Sequence, residues 1–178
     1  MTTPDRPALD RIWSGWRSAY VADAAAGANL VGEGTVFTRI LAAVERGELT
    51  DESAYVVRRA ERTFAILNAY PYGTGHLLVL PYREVGDLED LDADESAELW
   101  SVVNQAVVAV KAAYSPHGVN VGFNLGEAAG AGVPNHVHAH VLPRWDADSN
   151  FMTAVAEARV LPEPLSDTWR RLVDAWPS

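Results

Sequence analysis

The sequence predicts an α+β fold in which the sheet is antiparallel. Three short apolar segments between residues 53 and 83 have the length and composition of strands. A long amphipathic helix follows them, and two more strand-like segments come after that helix. Strands grouped around one inserted helix favour an antiparallel sheet over the alternating units of a parallel one. The chain has 178 residues, which is enough for one domain that buries about 70% of its unfolded surface.

Two helices are predicted before the first strand. The first is indicated by an apolar stripe at helical spacing, made of Leu9, Ile12, Trp13, Trp16 and Tyr20. Small residues and glycines over 24–34 indicate a loop. The second helix is predicted over 35–48, where one face carries Phe37, Ile40, Leu41 and Val44.

Three strands should follow. The first is predicted over 53–60 and the second over 63–71, with a turn near Glu61 and Arg62 between them. The third is predicted over 75–83, and Pro81 marks its end because proline has no backbone N–H to donate to a neighbouring strand.

The clearest helix begins after Asp92. Asp92 and Glu95 have the spacing of a capping box, in which each side chain accepts from the other residue's backbone N–H. Apolar residues then recur at three- and four-residue steps, at Leu99, Val102, Val103, Ala106, Val107 and Val110. This pattern predicts a long helix with one buried face.

Two further strands and a final helix complete the prediction. Alternating apolar residues Val119, Val121, Phe123 and Leu125 predict a strand over 118–126. A link of small residues over 126–135 leads into a last strand over 136–144. The C-terminal helix is indicated by Leu165, Trp169, Leu172 and Trp176.

The charge and the composition exclude several classes of function. The net charge of −10 and the isoelectric point near 4.8 argue against a nucleic-acid polymer as ligand, because such binding depends on Lys and Arg. A single nucleotide is still compatible with a small, locally positive site. The chain has no cysteine, which excludes disulfides, thiolate metal sites and thiol catalysis. No signal-peptide pattern and no long apolar run is present, so we expect a cytoplasmic protein without a membrane segment.

Three of the five histidines lie at alternate positions, at His136, His138 and His140. In a strand, residues two apart share a face, so Val137 and Ala139 would point to the core. The row could be a polar strand face, a metal site or a catalytic group. One metal for all three is disfavoured, because His136 and His140 would lie roughly 13 Å apart at ~3.3 Å per residue, whereas Zn–N bonds are about 2.1 Å.

The catalytic interpretation explains more of the surrounding sequence. A central imidazole that titrates near neutrality can act as nucleophile or base while its neighbours orient it and contact substrate. Gly126, Gly130 and Gly132 lie just before the row and allow backbone N–H groups to approach an anion closely. Together they predict a phosphorylated substrate.

The segment "HVHAHVL" matches the pattern His-φ-His-φ-His-φ-φ, where φ is hydrophobic. With "FAILNAYPYGTGHLLVLPYR" (64–83) and "NLGEAAGAGVPNH" (124–136), it identifies the chain as a member of the histidine-triad (HIT) family. The resemblance implies a HIT-like fold with a five-stranded antiparallel sheet, usually paired as a homodimer or a larger homo-oligomer. It places the HIT domain at 35–145, after an N-terminal extension (1–34) and before a C-terminal extension (146–178) that packs on the same domain.

The resemblance also implies nucleotidyl transfer or hydrolysis through a covalent nucleotidyl-histidine. By position, His138 would be the nucleophile. His140 would contact the α-phosphate and the bridging oxygen, and His136 would belong to the supporting hydrogen-bond network. Asn68 falls where the family binds the ribose hydroxyls, and Asn124 falls where a polar residue lines the phosphate side.

Other positions depart from the family pattern or have a structural role. His76 is expected to be structural. Thr35 and Thr38 stand where zinc-containing members carry Cys-x-x-Cys, so no zinc and no tightly bound cofactor is expected, and Mg²⁺ is expected only with the polyphosphate substrate. Val133 replaces the Ser or Thr of many hydrolases, so that hydroxyl contact to phosphate is either missing or replaced by backbone N–H groups from Gly130 to Gly132.

Residues 142–152 resemble a bacterial subgroup that contains diadenosine tetraphosphate phosphorylases, although Ala147 departs from its pattern. We therefore expect a nucleotide and inorganic phosphate as substrates, with ATP and ADP as products. Arg144 and Asn150 are candidate phosphate contacts by position. The N-terminal Trp13 and Trp16 also resemble this subgroup, and they either anchor a helix or contact a base.

Two alternatives remain open at this level. One is a hydrolase of dinucleoside polyphosphates or nucleoside phosphoramidates, because water and phosphate can intercept the same intermediate. The other is a nucleotide-binding protein with slow turnover that acts mainly through partners. Both alternatives are compatible with the same three histidines in the sequence.

Overall fold

A computed structural model of the chain describes residues 30, 32–148 and 163–178. The predicted N-terminal helix with Trp13 and Trp16 lies outside the described residues, and so does Asn150.

The described chain contains a five-stranded antiparallel sheet, as predicted. The strands lie in the order β1-β2-β3-β5-β4, and every neighbouring pair is antiparallel. Their bounds are β1 Val56–Arg59, β2 Thr63–Leu67, β3 Leu77–Pro81, β4 Gly118–Phe123 and β5 Ala139–Arg144. The α+β fold class is therefore confirmed, and β5 is brought between β3 and β4.

Within the described residues, the sheet is accompanied by three α-helices: α1 Val36–Glu45, α2 Ala93–Tyr114 and α3 Leu165–Asp174. The long helix α2 is inserted between β3 and β4, and it begins with the predicted capping box. The backbone N–H of Glu95 donates to Asp92 Oδ1 at 2.8 Å, and that of Asp92 donates to Glu95 Oε2 at 3.0 Å. No helix within the described ranges is long and apolar enough to span a bilayer.

Each face of the sheet carries its own apolar core. One core lies between the sheet and helices α2 and α3, and its residues include Val79, Leu99, Val103, Val141 and Leu172. The other lies between the sheet and α1, and its residues include Phe37, Leu41, Phe64, Ile66 and Leu78. Because both faces are covered, β2 and β3 are buried along their whole length, which explains their continuous apolar sequences.

The last strand begins later than predicted. Val137, Ala139 and Val141 are buried, as expected, but β5 starts only at Ala139. His136 and His138 precede the strand and are 0% and 6% exposed. A solvent-exposed polar strand face is therefore excluded for His136 and His138, because both pack against Phe37 of α1.

Candidate active site

A cavity of about 440 Å³ opens on the side of the sheet that α1 covers. Most of its lining is apolar, and no Lys or Arg is among the described residues that line it. Five of the predicted site residues do line it: Asn68, Gly130, Gly132, His138 and His140. The tertiary structure thus brings together residues from three separate segments of the chain.

Helix α1 positions the first two histidines of the row. The ring of Phe37 meets His136 edge-on, with centroids 5.5 Å apart, and lies 5.7 Å from His138. Phe37 is buried because it is on the core-facing side of this helix. The sequence predicted that side correctly, although its contact with the histidines could not be read from the helical spacing.

His136 is held at both ring nitrogens. Its Nε2 lies 2.8 Å from the carbonyl oxygen of Pro81, which can only accept, so Nε2 carries the proton. The other nitrogen, Nδ1, therefore accepts a hydrogen bond from the hydroxyl of Thr35 at 2.9 Å. This agrees with the expected supporting role.

His138 has the opposite tautomer. Its Nδ1 lies 2.7 Å from the backbone carbonyl oxygen of His136, so Nδ1 donates and carries the proton. Nε2 is then left with its lone pair, and the residue lines the cavity. An imidazole in this state can attack an electrophile with Nε2 while its other nitrogen stays anchored.

The tautomer of His140 is set by His76, which is 1% exposed. The Nδ1 atom of His76 accepts from the backbone N–H of Tyr72 at 3.0 Å, so His76 carries its proton on Nε2. That Nε2–H donates to Nδ1 of His140 at 2.9 Å, which puts the proton of neutral His140 on its own Nε2. His140 can therefore donate a hydrogen bond, and its ring lies 5.0 Å from that of His138.

The loop between β2 and β3 holds the hydrogen-bonded pair of His76 and His140 in place. Asn68 Nδ2 lies 3.3 Å from His76 Nδ1, and Asn68 Oδ1 accepts from the backbone N–H of Tyr70 at 2.9 Å. An amide has two N–H groups and two oxygen lone pairs, so one of each is left for a ligand. Tyr72 also stacks on the ring of His140, with centroids 5.4 Å apart.

Asn124 follows β4 and approaches His140 from the other side. Its amide nitrogen position lies 3.3 Å from His140 Nε2. His140 Nε2 carries the proton, so it must donate and Asn124 must accept. The amide oxygen and nitrogen of Asn124 can be exchanged without changing the shape of the side chain, and with the oxygen facing His140 the contact is a hydrogen bond. Asn124 thus contacts His140 but is not among the described residues that line the cavity, and its contact with phosphate stays a prediction.

Burial keeps the three histidines neutral. It lowers the pKa of His138, against the opposing effect of the hydrogen bond to the His136 carbonyl. It also lowers the pKa of His136. Burial and the neighbouring His138 lower the pKa of His140 to about 4. At neutral pH, His138 therefore offers a lone pair on Nε2, and the neighbouring His140 offers an Nε2–H donor.

The glycine-rich link contributes fewer free N–H groups than expected. Gly130 has φ of 96°, and its N–H donates to the carbonyl of Glu127 at 2.9 Å. The N–H of Ala131 donates to Gly126 at 3.2 Å. Within the described part of the chain, no protein group accepts from the N–H of Gly132, which is the remaining candidate donor to an anion.

Arg144 is not brought to the cavity. It ends β5, four residues beyond His140 and roughly 13 Å along the strand at ~3.3 Å per residue. Its guanidinium is bound by both carboxylate oxygens of Asp148 at 2.6 Å and by Asn120 at 2.8 Å. The expectation that Arg144 contacts phosphate in this cavity is therefore corrected: its guanidinium is bound by Asp148 and Asn120, away from the cavity.

Sequence reasoning missed parts of the hydrogen-bond network. His76 was expected to be structural, yet it fixes the proton of His140. Tyr72 and Glu84 were not singled out at all. The signal for His76 was its place after Gly75, just before β3, whose first residues pair with β5. Nothing local indicates Glu84, because its partners Thr35 and Thr38 lie far away in sequence.

Comparison with known proteins supports the same family. The HIT domain family model matches residues 50–147. A Mycobacterium tuberculosis protein named AP-4-A phosphorylase is 41% identical over 174 residues, which are 96% of this chain and 86% of that protein. A Schizosaccharomyces pombe protein named bis(5'-nucleosyl)-tetraphosphatase [asymmetrical] is 37% identical over 93 residues, which are 52% of this chain and 50% of that protein.

A solved structure of a histidine triad family protein has a similar fold. A solved Zn-bound histidine triad family protein from Mycobacterium smegmatis superposes with a TM-score of 0.60 at 27% identity, over 76% of this chain and 91% of that one. The motif, the arrangement of the three histidines and the matching family model agree. The chain belongs to the HIT domain family.

Proposed function

We propose that this protein is an enzyme that cleaves diadenosine tetraphosphate with inorganic phosphate and gives ATP and ADP. The observation that carries the proposal is the free Nε2 lone pair of His138 at the cavity wall, with Nδ1–H anchored 2.7 Å from the His136 carbonyl. Similarity over nearly the whole chain to the protein named AP-4-A phosphorylase supports this substrate.

In the first step, His138 Nε2 forms a bond to the α-phosphorus. The bond from that phosphorus to the oxygen bridging to the β-phosphate breaks, ATP leaves, and an adenylyl-imidazole remains on His138. Positive charge develops on the imidazole as it attacks, and the carbonyl of His136 stabilises it by accepting from Nδ1–H. The Nε2–H of His140 would then exchange Asn124 for an oxygen of the departing or the transferred phosphate as its acceptor.

In the second step, an oxygen of inorganic phosphate attacks the adenylyl phosphorus. The phosphorus–nitrogen bond breaks, its electron pair returns to Nε2 of His138, and ADP leaves. Binding phosphate in a formed pocket would favour it over water through proximity, which is worth up to roughly 7–11 kcal/mol in favourable cases. Asn150 remains a candidate for such a pocket.

The cavity has the composition of a nucleotide site. Its apolar wall suits a base, Asn68 would bind the ribose, and Asn124 with the N–H of Gly132 would contact phosphate oxygens. No cation is among the described residues of the wall, and the whole chain carries a net charge of −10. We therefore propose that Mg²⁺ accompanies the polyphosphate and screens its charge.

Hydrolysis is the second candidate function. The similarity to the protein named bis(5'-nucleosyl)-tetraphosphatase favours it, although that match covers 52% of this chain. Water would intercept the same adenylyl-histidine and give AMP instead of ADP. The two reactions share His138 and differ only in the acceptor.

One experiment separates these functions. Diadenosine tetraphosphate is incubated with the enzyme, Mg²⁺ and labelled inorganic phosphate, and the products are resolved by chromatography. We expect ATP and ADP, with the label in the β-phosphate of ADP. Products limited to AMP and ATP, at a rate that phosphate does not change, would show a hydrolase. No turnover with any dinucleotide or phosphoramidate would leave nucleotide binding as the function.

We further propose that the protein is a homodimer joined at β4. This strand is at the edge of the sheet, where its outer backbone groups face no neighbouring strand. Val121 on β4 and Trp100 on α2 are 41% and 47% exposed, and the ring of Trp100 lies 5.8 Å from that of Phe123 on β4. Large apolar side chains grouped beside an open strand edge are typical of an interface with a second copy.

A further inference from the structure

Four polar side chains meet where α1 begins, and they form a hydrogen-bonded group that we name the Thr–Glu–His cluster. Its members are Thr35, Thr38, Glu84 and His136. The Oε1 atom of Glu84 accepts from the backbone N–H of Thr35 at 2.6 Å and from the hydroxyl of Thr38. Thr35 Oγ1 lies 2.9 Å from His136 Nδ1 and 3.4 Å from Thr38 Oγ1.

The hydrogen bonds of the cluster lead toward the nucleophile. Since His136 Nε2–H donates to Pro81, the Thr35 hydroxyl must donate to His136 Nδ1. The side chain of His136 is thereby fixed at both nitrogens, and its backbone carbonyl accepts from His138 Nδ1–H. Thr35 therefore acts on the residue that orients His138, although it does not touch the cavity itself.

Glu84 reaches the helix only because a glycine makes room. Gly34 has φ of 88°, and a Cβ at this position would collide with the Glu84 carboxylate and lie 2.6 Å from Thr38 Oγ1. The hydrogen bonds from Thr38 and Thr35 lower the pKa of Glu84, so the carboxylate stays charged at neutral pH. A negative charge at the N-terminus of a helix is favourable, which holds the start of α1 in place.

The cluster does not fit a zinc ion. Structural zinc sites use thiolate, imidazole or carboxylate ligands, and two of the four side chains here are hydroxyls. Nδ1 of His136 is occupied by Thr35, and Glu84 Oε1 is occupied by two donors. The described residues contain no group of three or more His, Asp or Glu arranged to hold a metal.

We propose that the Thr–Glu–His cluster is a metal-free positioning device for the nucleophile. It fixes His136 against α1, and through the His136 carbonyl it selects the tautomer of His138 that leaves Nε2 free. Thr35 and Glu84 are positioning residues in this account. The inference rests on the proposed role of His138 as nucleophile, so one of its readouts must not depend on turnover.

The first test compares Thr35→Val with Thr35→Ser. Valine keeps the branched shape and removes the hydroxyl, and no side-chain cap of α1 is lost because Thr35 makes none. We expect kcat to fall at least about tenfold in T35V with KM within about twofold, and T35S to stay within about threefold of wild type. The matched control is Thr50→Val, at an exposed threonine whose hydroxyl bonds only within its own turn.

Glu84 gives a second, independent pair of variants. Gln keeps the accepting Oε1 and removes the charge, whereas Ala removes both. We expect E84Q to retain kcat within about threefold and E84A to resemble T35V. If T35V does not fold, E84A carries the comparison, because Glu84 is exposed and outside both cores.

The second readout is the tautomer of each histidine, measured by long-range ¹H–¹⁵N NMR of ¹⁵N-labelled protein without substrate. Wild type and T50V should show His138 with its proton on Nδ1, and T35V should show a mixture of tautomers. A folded T35V with unchanged kcat, a loss confined to KM, or a lower kcat with an unchanged His138 tautomer would each overturn the proposal. Absence of turnover in wild type would overturn the proposed function alone, since the NMR comparison would still test the cluster.

Discussion

The Nδ1 atom of His138 donates a 2.7 Å hydrogen bond to the backbone carbonyl oxygen of His136. This contact decides which nitrogen of His138 is free to react, because a neutral imidazole carries only one proton. A backbone carbonyl cannot change its role with pH, so the nucleophilic nitrogen stays Nε2 throughout the range in which His138 is neutral.

Replacing the proposed nucleophile should abolish turnover without unfolding the chain. We expect His138→Ala to reduce kcat/KM by several orders of magnitude, at about 1.4 kcal/mol per tenfold, because both ring nitrogens of His136 and of His140 already have partners. Steady-state assays and thermal unfolding check the result. The control is His117→Ala, whose side chain is 58% exposed and pairs with Asp146. A folded H138A variant with more than about a tenth of the wild-type rate would show that His138 is not the nucleophile.

His76 should matter for catalysis although it does not line the cavity. His76→Leu removes the donor to His140 Nδ1 and keeps an apolar side chain in a buried position. We expect kcat to fall about 10–100-fold, with partial recovery in His76→Gln, whose amide can donate to the same atom. The measurement is kcat with saturating dinucleotide and phosphate. Equal activity of the Leu and Gln variants would indicate that the proton of His140 is not set by His76.

Activity should persist well into the acid range. Protonation of His138 removes its lone pair, and burial lowers its pKa below the usual 6.5, so kcat/KM should fall only below that pH. The pKa of His140, at about 4, also places its protonation well below pH 6.5. In the unfolded chain these histidines bind protons more readily, so the free energy of unfolding should also decline as the pH drops from 6.5 toward 4. An acid limb of kcat/KM centred at or above pH 6.5 would contradict the burial of the row.

Removing metals should show no zinc requirement. We expect elemental analysis to find substoichiometric zinc, and dialysis against chelator followed by Mg²⁺ alone to restore full activity, because the Thr–Glu–His cluster lacks zinc ligands. The same enzyme without any divalent ion serves as the comparison. Stoichiometric zinc, with activity that returns only on adding zinc, would show that a metal site has been missed.

Disrupting the edge of the sheet should change the oligomeric state. Val121→Arg places a charge in the exposed apolar group on β4 and α2, and we expect the mass measured by light scattering to fall to that of one chain. The control is Glu61→Arg, which adds a positive charge at a highly exposed position in the turn between β1 and β2. A wild-type mass equal to one chain, or a V121R variant that stays a dimer, would place any interface elsewhere.

Several features could be predicted from the sequence because they depend on neighbours along the chain. The capping box of Asp92 and Glu95 joins residues three apart, and it marked the start of the long helix correctly. The alternation of His136, His138 and His140 with apolar residues drew attention to the row, and two of its members, His138 and His140, line the cavity. Runs of apolar residues located all five strands, although each strand proved shorter than its pattern suggested.

Other features depend on residues that are remote in sequence, and only the tertiary structure decided them. Thr35 and His136 are 101 positions apart, and His76 and His140 are 64 apart, yet these pairs set which ring nitrogens carry protons. The start of β5 was also decided by packing, because α1 covers His136 and His138 before the strand begins. The sequence by itself determined which residues could react. The chemical state of each residue follows from partners that only folding brings within hydrogen-bonding distance, since an imidazole has no intrinsic preference strong enough to fix its proton.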